Sequence, residues 1–331
     1  MNIFAPMKTK SILVLGGSGF IGQHLIEKQL ALGNKVVSVD LKNPIIAHKL
    51  NCHYILADLR QDQFIELLQD TPFDEIYQLA ADMGGAGYVF SGEHDADILL
   101  NSTQINLNVL RATQQWNFKG TLFFASSACI YPQETQVDEL HPNCAEDMAY
   151  PANPDSDYGW EKLFAERMFA AFHRNKNLSV RIARFHNIYG PLGIFEGGKE
   201  KAPAAICRKV AQAKDGSSIE IWGDGKQTRS FLYIDDAIEA LLKLMESTHC
   251  EPVNIGSEEM VSINDLAELT IQLSGKNLSI HHVNGPVGVR GRNSSNELIE
   301  KILDWRVRTP LHEGIKKTYS WIQKSLENHA N

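Results

Sequence analysis

Six short apolar runs punctuate the first half of the chain: Ser11-Ile-Leu-Val-Leu15, Lys35-Val-Val-Ser-Val39, His53-Tyr-Ile-Leu56, Glu75-Ile-Tyr-Gln-Leu79, Thr121-Leu-Phe-Phe-Ala125 and Ser179-Val-Arg-Ile-Ala183. They are too short for helices and too uniformly apolar for strands with one wet face, so they read as strands covered on both sides. Segments of helical spacing separate most of them. That alternation predicts an α/β fold built on a doubly wound parallel sheet, with the ligand beyond the C-terminal ends of the strands.

After about Arg184 the pattern changes. Glycine and proline cluster in "YGPLGIFEGGKEKAP" and "WGDGKQTRSF", one further αβ piece follows at Asp235 to Met245 and Pro252 to Ile255, and the rest is helical and loop-rich. The expected division is a sheet domain over 1–185, joined by an αβ piece around 227–256, and a smaller C-terminal α/β substrate-binding lobe over 186–331. No flexible linker, repeat or low-complexity tract separates the two.

Composition narrows the function classes. Of 331 residues 43% are hydrophobic and 22% charged, ordinary for a soluble globular protein. The net charge of −8 comes with no basic run, so neither nucleic acid nor an anionic membrane is an expected partner. The apolar run after Lys10 is only Ile12 to Leu15, too short for a signal sequence or a membrane span. Cys52, Cys129, Cys144, Cys207 and Cys250 are odd in number and include no Cys-x-x-Cys, which fits a reducing, cytoplasmic setting better than a disulfide framework or zinc site. The histidines, including His186 and the pair His281-His282, lack ligand spacing, so no metal is expected.

The first strand runs into "GGSGFIG", whose Gly16, Gly19, Phe20, Ile21 and Gly22 form a G-x-x-G-x-x-G turn opening a helix expected from about Gln23. Glycines there let backbone N–H groups and a helix N-terminus approach a pyrophosphate. Asp40 ends the second strand 24 residues after Gly16, the offset at which a carboxylate takes a ribose diol. These residues predict a Rossmann-type domain that binds NAD. Asp40 disfavours the 2′-phosphate of NADP, although Lys42 lies close by; Asp58, placed at the end of the third strand, is a candidate for the adenine side.

Ser127 stands at a strand end, 31 residues before Tyr158 of "YGWEK", and Lys162 follows Tyr158 at i+4 on the same helix face. An ammonium so placed is expected to lower the phenol's pKa and to bond a ribose hydroxyl. With the glycine turn, this Ser…Tyr-x-x-x-Lys set resembles the extended short-chain dehydrogenase/reductases that act on nucleotide sugars. The resemblance implies that Tyr158 exchanges the proton of the substrate hydroxyl being oxidised, assisted by Lys162 and Ser127.

"ADMGGAGY", "SSACIYP", "RFHNIYGPLG", "GGKEKAPAAICRK", "WGDGKQTRSF", "EPVNIGSEEMVSINDLAEL" and "GPVGVRGRNSS" are similar to the GDP-mannose 3,5-epimerase family. These stretches and the glycine turn reach from the first strand to about residue 295. In that family the sugar is oxidised at C4, the ketone acidifies C3 and C5, and two groups exchange protons on opposite faces of the ring. The resemblance assigns these roles to Cys129 and Lys201, residue types that exchange protons near neutrality. It implies a GDP-hexose substrate contacting Gly87, Ser127, Ala128, Cys129, Asn187, Glu200, Lys201, Ala202, Lys209, Gln227, Arg229 and Arg292. Arg229 and Arg292 are candidates for the pyrophosphate, or alternatively for interdomain salt bridges. Trp222 reads as packing.

Ala86 and Tyr88 depart from the family pattern, which leaves a GDP-heptose or GDP-deoxyhexose as alternative substrates. A C4-epimerase would need neither Cys129 nor Lys201. A non-catalytic NAD-sensing protein would need no Tyr-x-x-x-Lys. Finally, Leu163, Phe164, Met168, Phe169, Ala171 and Phe172 make the Tyr158 helix apolar over more than one narrow stripe, which predicts a homodimer.

Overall fold

The computed structural model describes residues 9–44 and 52–330. Its centre is a seven-stranded parallel sheet. The first six strands in chain order are β1 (Ser11–Leu15), β2 (Lys35–Asp40), β3 (Cys52–Leu56), β4 (Glu75–Gln78), β5 (Thr121–Ser127) and β6 (Ser179–Phe185). Their spatial order, β6-β5-β4-β1-β2-β3, reverses direction at β1, and a seventh strand, Val253–Ile255, lies beside β6. The reversal opens a crevice beyond the C-terminal ends of β1 and β4, where an open α/β sheet takes its ligand.

The apolar runs are continuous because both sheet faces are covered. Ile12, Val14 and Phe123 face one core, with Leu25 and Ile26 of the Phe20–Ala31 helix and Leu241 of the Ile234–Glu246 helix. Leu13, Leu15, Leu122 and Phe124 face the other, with Val109 of the Asp95–Gln115 helix and Phe169 of the Asp157–Lys176 helix. Alternate residues along one strand therefore enter different cores, and neither set can be polar.

The glycine-turn helix starts at Phe20, three residues before the expected Gln23, because Gly19 already takes the extended cap conformation. β5 and β6 run to Ser127 and Phe185, beyond the apolar stretches that mark them. The polar ends of these strands are stabilised by a buried pair: Arg184 donates to both carboxylate oxygens of Glu166, at 3.0 and 2.9 Å, and Ser126 donates to Glu166 as well. The third strand stops at Leu56, so Asp58 lies two residues past its end.

The remainder of the chain packs on the first core, where Ile206, Cys207 and Val210 of the Ala202–Gln212 helix meet residues of the sheet side. Strands Ser218–Trp222 and Ser279–Val283 pair in parallel, and Thr228–Ser230 lies between Met260–Ser262 and Gly291–Arg292. Among the described residues no helix is long and apolar enough to cross a membrane.

Candidate active site

The glycine turn has the shape a dinucleotide requires. Gly16 sits at φ +84°, and a Cβ there would come within 2.8 Å of the Ala80 nitrogen, a left-handed and crowded position that favours glycine. A Cβ on Gly22 would collide with the Gly16 carbonyl. The Phe20–Ala31 helix is capped by Gly19 without a side-chain hydrogen bond, leaving its first N–H groups open to an anion. Asp40 is fixed beside the turn, accepting from the Ser18 N–H at 2.9 Å and the Lys42 N–H at 3.3 Å. The Ser18 hydroxyl is buried without a partner. These residues fit NAD, the phosphates at the turn and a ribose diol at Asp40. Asp58 is engaged differently: Arg60 grips both its oxygens, and this pairing holds its carboxyl below its ordinary value.

A cavity of about 350 Å³ opens between the loop after β4, the end of β5 and the second lobe. It gathers residues far apart in sequence: Gly87, Ser127, Ala128, Cys129, Tyr158, Asn187, Glu200, Lys201, Ala202, Lys209, Gln227, Arg229 and Arg292 all line it. Of the residues with expected roles at the reacting sugar, only Lys162 lies behind this wall.

Ser127 closes β5 and caps the single turn Ala128–Ile130, its hydroxyl accepting from the Cys129 N–H at 3.2 Å. The cap turns the chain so that Cys129 enters the cavity. Tyr158 and Lys162 follow from the next N-cap, where Ser156 accepts from Gly159 and starts the Asp157–Lys176 helix.

The expected lowering of the Tyr158 phenol is not found. Burial pushes it well above its ordinary value, the neighbouring Cys129 charge adds to this, and the Ser127 hydroxyl opposes it. The spacing does place Tyr158 and Lys162 together, but the ammonium lies 5.7 Å from the phenol ring centre and donates to the Ala125 carbonyl at 3.1 Å. The Lys162 amine is itself lowered by burial, against the nearby Glu161 and Glu166 charges.

Lys201 is the N-cap residue of the Ala202–Gln212 helix. Burial lowers its amine, and Cys129, which lines the same cavity, opposes the shift. Among the described residues it has no hydrogen-bond or carboxylate partner.

The two arginines differ. Arg292 donates to Asp155 at 2.8 Å and to the Cys129 sulfur at 3.1 Å, and it also contacts Gln136, so it forms the salt bridge held open as the alternative. Arg229 donates only to the carbonyls of Thr228, Val287 and Val289. Burial and the neighbouring Arg292 charge pull its guanidinium down to about 10, leaving a cation that an anionic ligand would relieve. Asn187, at φ 45°, donates its amide to the Ser230 carbonyl. Glu200 is held by Arg208 at 3.2 Å and by the Gly198 N–H at 2.7 Å. Lys209 donates to the Glu220 carbonyl at 2.7 Å and, like Glu220, sits beside Trp222. Gln227 donates weakly to the Trp222 carbonyl, while its own carbonyl oxygen is buried without a partner.

Trp222 is not simply packing. It is 40% exposed, lines the cavity and covers Gly87 and Gly285. The signal was present in the alternation of Ser218–Trp222, where Ile219 and Ile221 face the core and Trp222 shares the outer face with Glu220. Sequence reasoning also missed Asp155 and Lys199.

A glycine turn shaped for a nucleotide, together with a cavity lined by Ser127 and Tyr158, is the arrangement of a short-chain dehydrogenase type of enzyme. The chain belongs to the NAD dependent epimerase/dehydratase family, whose model matches residues 12–256. Its relatives include the GDP-mannose 3,5-epimerase of Arabidopsis thaliana, 42% identical over 325 residues, spanning 97% of this chain and 84% of that one. Among solved structures, MoeE5 in complex with UDP-glucuronic acid and NAD is 26% identical with a TM-score of 0.79, covering 95% and 99% of the two chains. The UDP-glucose 4-epimerase of Thermotoga maritima shares the fold, with 24% identity, a TM-score of 0.84 and 96% and 99% coverage.

The depressed Lys201 amine has a consequence for stability. Between its folded value and the ordinary lysine value of about 10.4, the unfolded chain binds more protons than the folded one, so this group makes stability rise with pH. Lys201→Met removes that term. The variant should exceed the parent by about 0.5–2 kcal/mol at neutral pH, with the gap closing toward about pH 10. Urea unfolding across this range checks it; a variant that is less stable throughout, or a gap independent of pH, would contradict it.

Proposed function

We propose that the protein is an NAD-dependent 3,5-epimerase of GDP-mannose, forming GDP-L-galactose and GDP-L-gulose through a 4-keto sugar. The observation that carries the reading is the pair formed by the Cys129 thiol and the unpartnered Lys201 amine on one cavity wall system with Tyr158. The 42% identity to GDP-mannose 3,5-epimerases over 97% of the chain supports the sugar and the nucleotide.

Gly16, Gly19, Phe20, Ile21, Gly22 and Asp40 would hold NAD, which when bound supplies the acceptor and later the donor of the C4 hydride. Tyr158 exchanges the C4 hydroxyl proton, with Ser127 as its hydrogen-bonding neighbour and Lys162 as a buried cation behind it. Oxidation at C4 makes the C3 and C5 hydrogens acidic. Cys129 and Lys201 then remove and replace them from opposite faces, which inversion at carbon requires. Arg229, a buried cation without a carboxylate, suits the substrate pyrophosphate. The mainly apolar walls limit water, so the enolate formed between proton transfers is protected.

The reading also includes a cytosolic homodimer. Five free thiols suit a reducing compartment. On the Asp157–Lys176 helix Leu163 and Phe169 are buried in the protomer, whereas Trp160 and Phe164 stand 44% and 52% exposed. The adjoining Asp95–Gln115 helix exposes Leu100 and Leu107. A two-fold partner offering the same two helices would cover this face.

Two measurements follow. In heavy water, GDP-mannose should gain deuterium at C3 and C5 of the hexose. Cys129→Ala and Lys201→Met should each slow that gain by about 10²–10⁴-fold while C4 oxidation persists; deuterium at neither carbon during turnover would refute the assignment and favour a C4-epimerase. In sedimentation at micromolar concentration the protein should run as a dimer and Phe164→Glu as a monomer, and a monomeric parent would count against the interface.

A further inference from the structure

Two glycine-rich loops meet at the rim of the cavity. One, Asp82 to Tyr88, follows β4; the other, Gly197 to Lys201, ends at the residue proposed for proton exchange. Their backbones touch: the Gly85 N–H donates to the Lys199 carbonyl at 3.0 Å, and a Cβ on Gly85 would collide with the Glu200 carbonyl. The contact is closed by side chains. Lys199 donates to Asp82 at 3.2 Å across 117 residues of sequence, and its ammonium lies 3.8 Å from the centre of the Tyr88 ring. Tyr88 donates its hydroxyl to the same Asp82 oxygen at 2.9 Å, and its ring stacks on His94 at 4.1 Å.

Asp82 is itself fixed from behind. Asn101 donates to its second oxygen at 2.9 Å, and its backbone N–H donates to Ser102 Oγ at 3.0 Å, both residues belonging to the Asp95–Gln115 helix. Burial acts to raise the Asp82 carboxyl, but the Asn101, Tyr88 and Lys199 hydrogen bonds outweigh it and hold it below its ordinary value. The carboxylate is thus charged and rigid, and Lys199 is attached to a part of the scaffold that cannot follow the loop. Lys201, two residues on, is held through its backbone, its carbonyl accepting from the Ala205 N–H at 2.9 Å at the start of the helix, but among the described residues its amine has no hydrogen bond to fix it. Where that amine sits in the cavity that Cys129 also lines therefore depends on the neighbours that are tied down.

We propose that Asp82, Tyr88 and Lys199 form a clasp that positions Lys201 inside the cavity for proton exchange with the sugar. The assignment of proton exchange to Lys201 rests on the epimerase reading; the clasp itself rests on the contacts above. Lys199 binds through both its charge and its face contact with the ring, so Lys199→Arg should preserve the clasp. Lys199→Met and Asp82→Asn should open it.

Two readouts separate the clasp from the function. First, the purified protein is treated with an amine-acylating reagent and labelling is mapped by peptide mass spectrometry. Lys201 should acylate about tenfold faster in Lys199→Met and Asp82→Asn than in the parent or Lys199→Arg, while buried Lys162 stays unchanged as an internal control of folding. Equal Lys201 labelling in all four proteins, or a parallel rise at Lys162, would overturn the clasp whatever the substrate is. Second, in heavy water with GDP-mannose, the two clasp-opening variants should lose about tenfold in deuterium gain at C3 and C5 but keep C4 oxidation within about twofold of the parent. Equal losses in both steps, or no loss in either, would overturn the positioning role. A parent that shows no exchange at C3 or C5 would sink the epimerase reading instead, and the labelling result would still decide the clasp.

Discussion

The Lys201 amine is held largely out of water with, among the described residues, no hydrogen bond or carboxylate to compensate it. An unpaired ammonium in a low-dielectric site is unfavourable, so burial lowers its amine below the ordinary lysine value. Cys129, which lines the same cavity, opposes the shift. In the proposed epimerase such a pair would exchange protons with the bound carbon acid. Both groups line one cavity: Cys129 is placed by the Ser127 cap at the end of β5, Lys201 by the helix it begins and the loop that precedes it.

Around this pair the charges are sorted by whether they are satisfied. Arg292 has Asp155, Arg184 has Glu166 and Lys199 has Asp82, and the first and last of these pairs tie distant segments together. Lys201 and Arg229 lack such partners among the described residues and both face the cavity. Cations left uncompensated beside satisfied ones mark where a ligand is expected to supply the missing charge. Arg229 and Lys201 lie on different parts of the wall, which suits a substrate with an anionic end and a neutral ring.

How much of this was legible in the sequence depended on the range of the interaction. Both-face burial leaves a local mark, so the strands through Ser11–Leu15 and Thr121–Ala125 could be read directly, as could the glycine turn and its Asp40. The Tyr158 and Lys162 pair was legible as a shared helix face, but the direction of the Lys162 ammonium was not, because the Ala125 carbonyl that receives it belongs to β5. Cys129 and Lys201 carried no local sign of chemistry and emerged from resemblance. The partners of Arg292 and Lys199 were invisible for a simpler reason: they lie 137 and 117 residues away, and nothing in either local pattern specifies which carboxylate the fold will bring. Trp222 was misread because a strand end with one buried and one open face allows both roles.

The central claim is that a thiol and an amine address opposite faces of one hexose ring. A crystal structure of the holoenzyme with GDP-mannose would test it most directly. The account predicts the Cys129 sulfur on one face and the Lys201 nitrogen on the other, each close enough to reach the hydrogens of C3 or C5, with the Tyr158 hydroxyl at C4. Both groups on the same face, or either one turned away from the sugar in the closed complex, would contradict it.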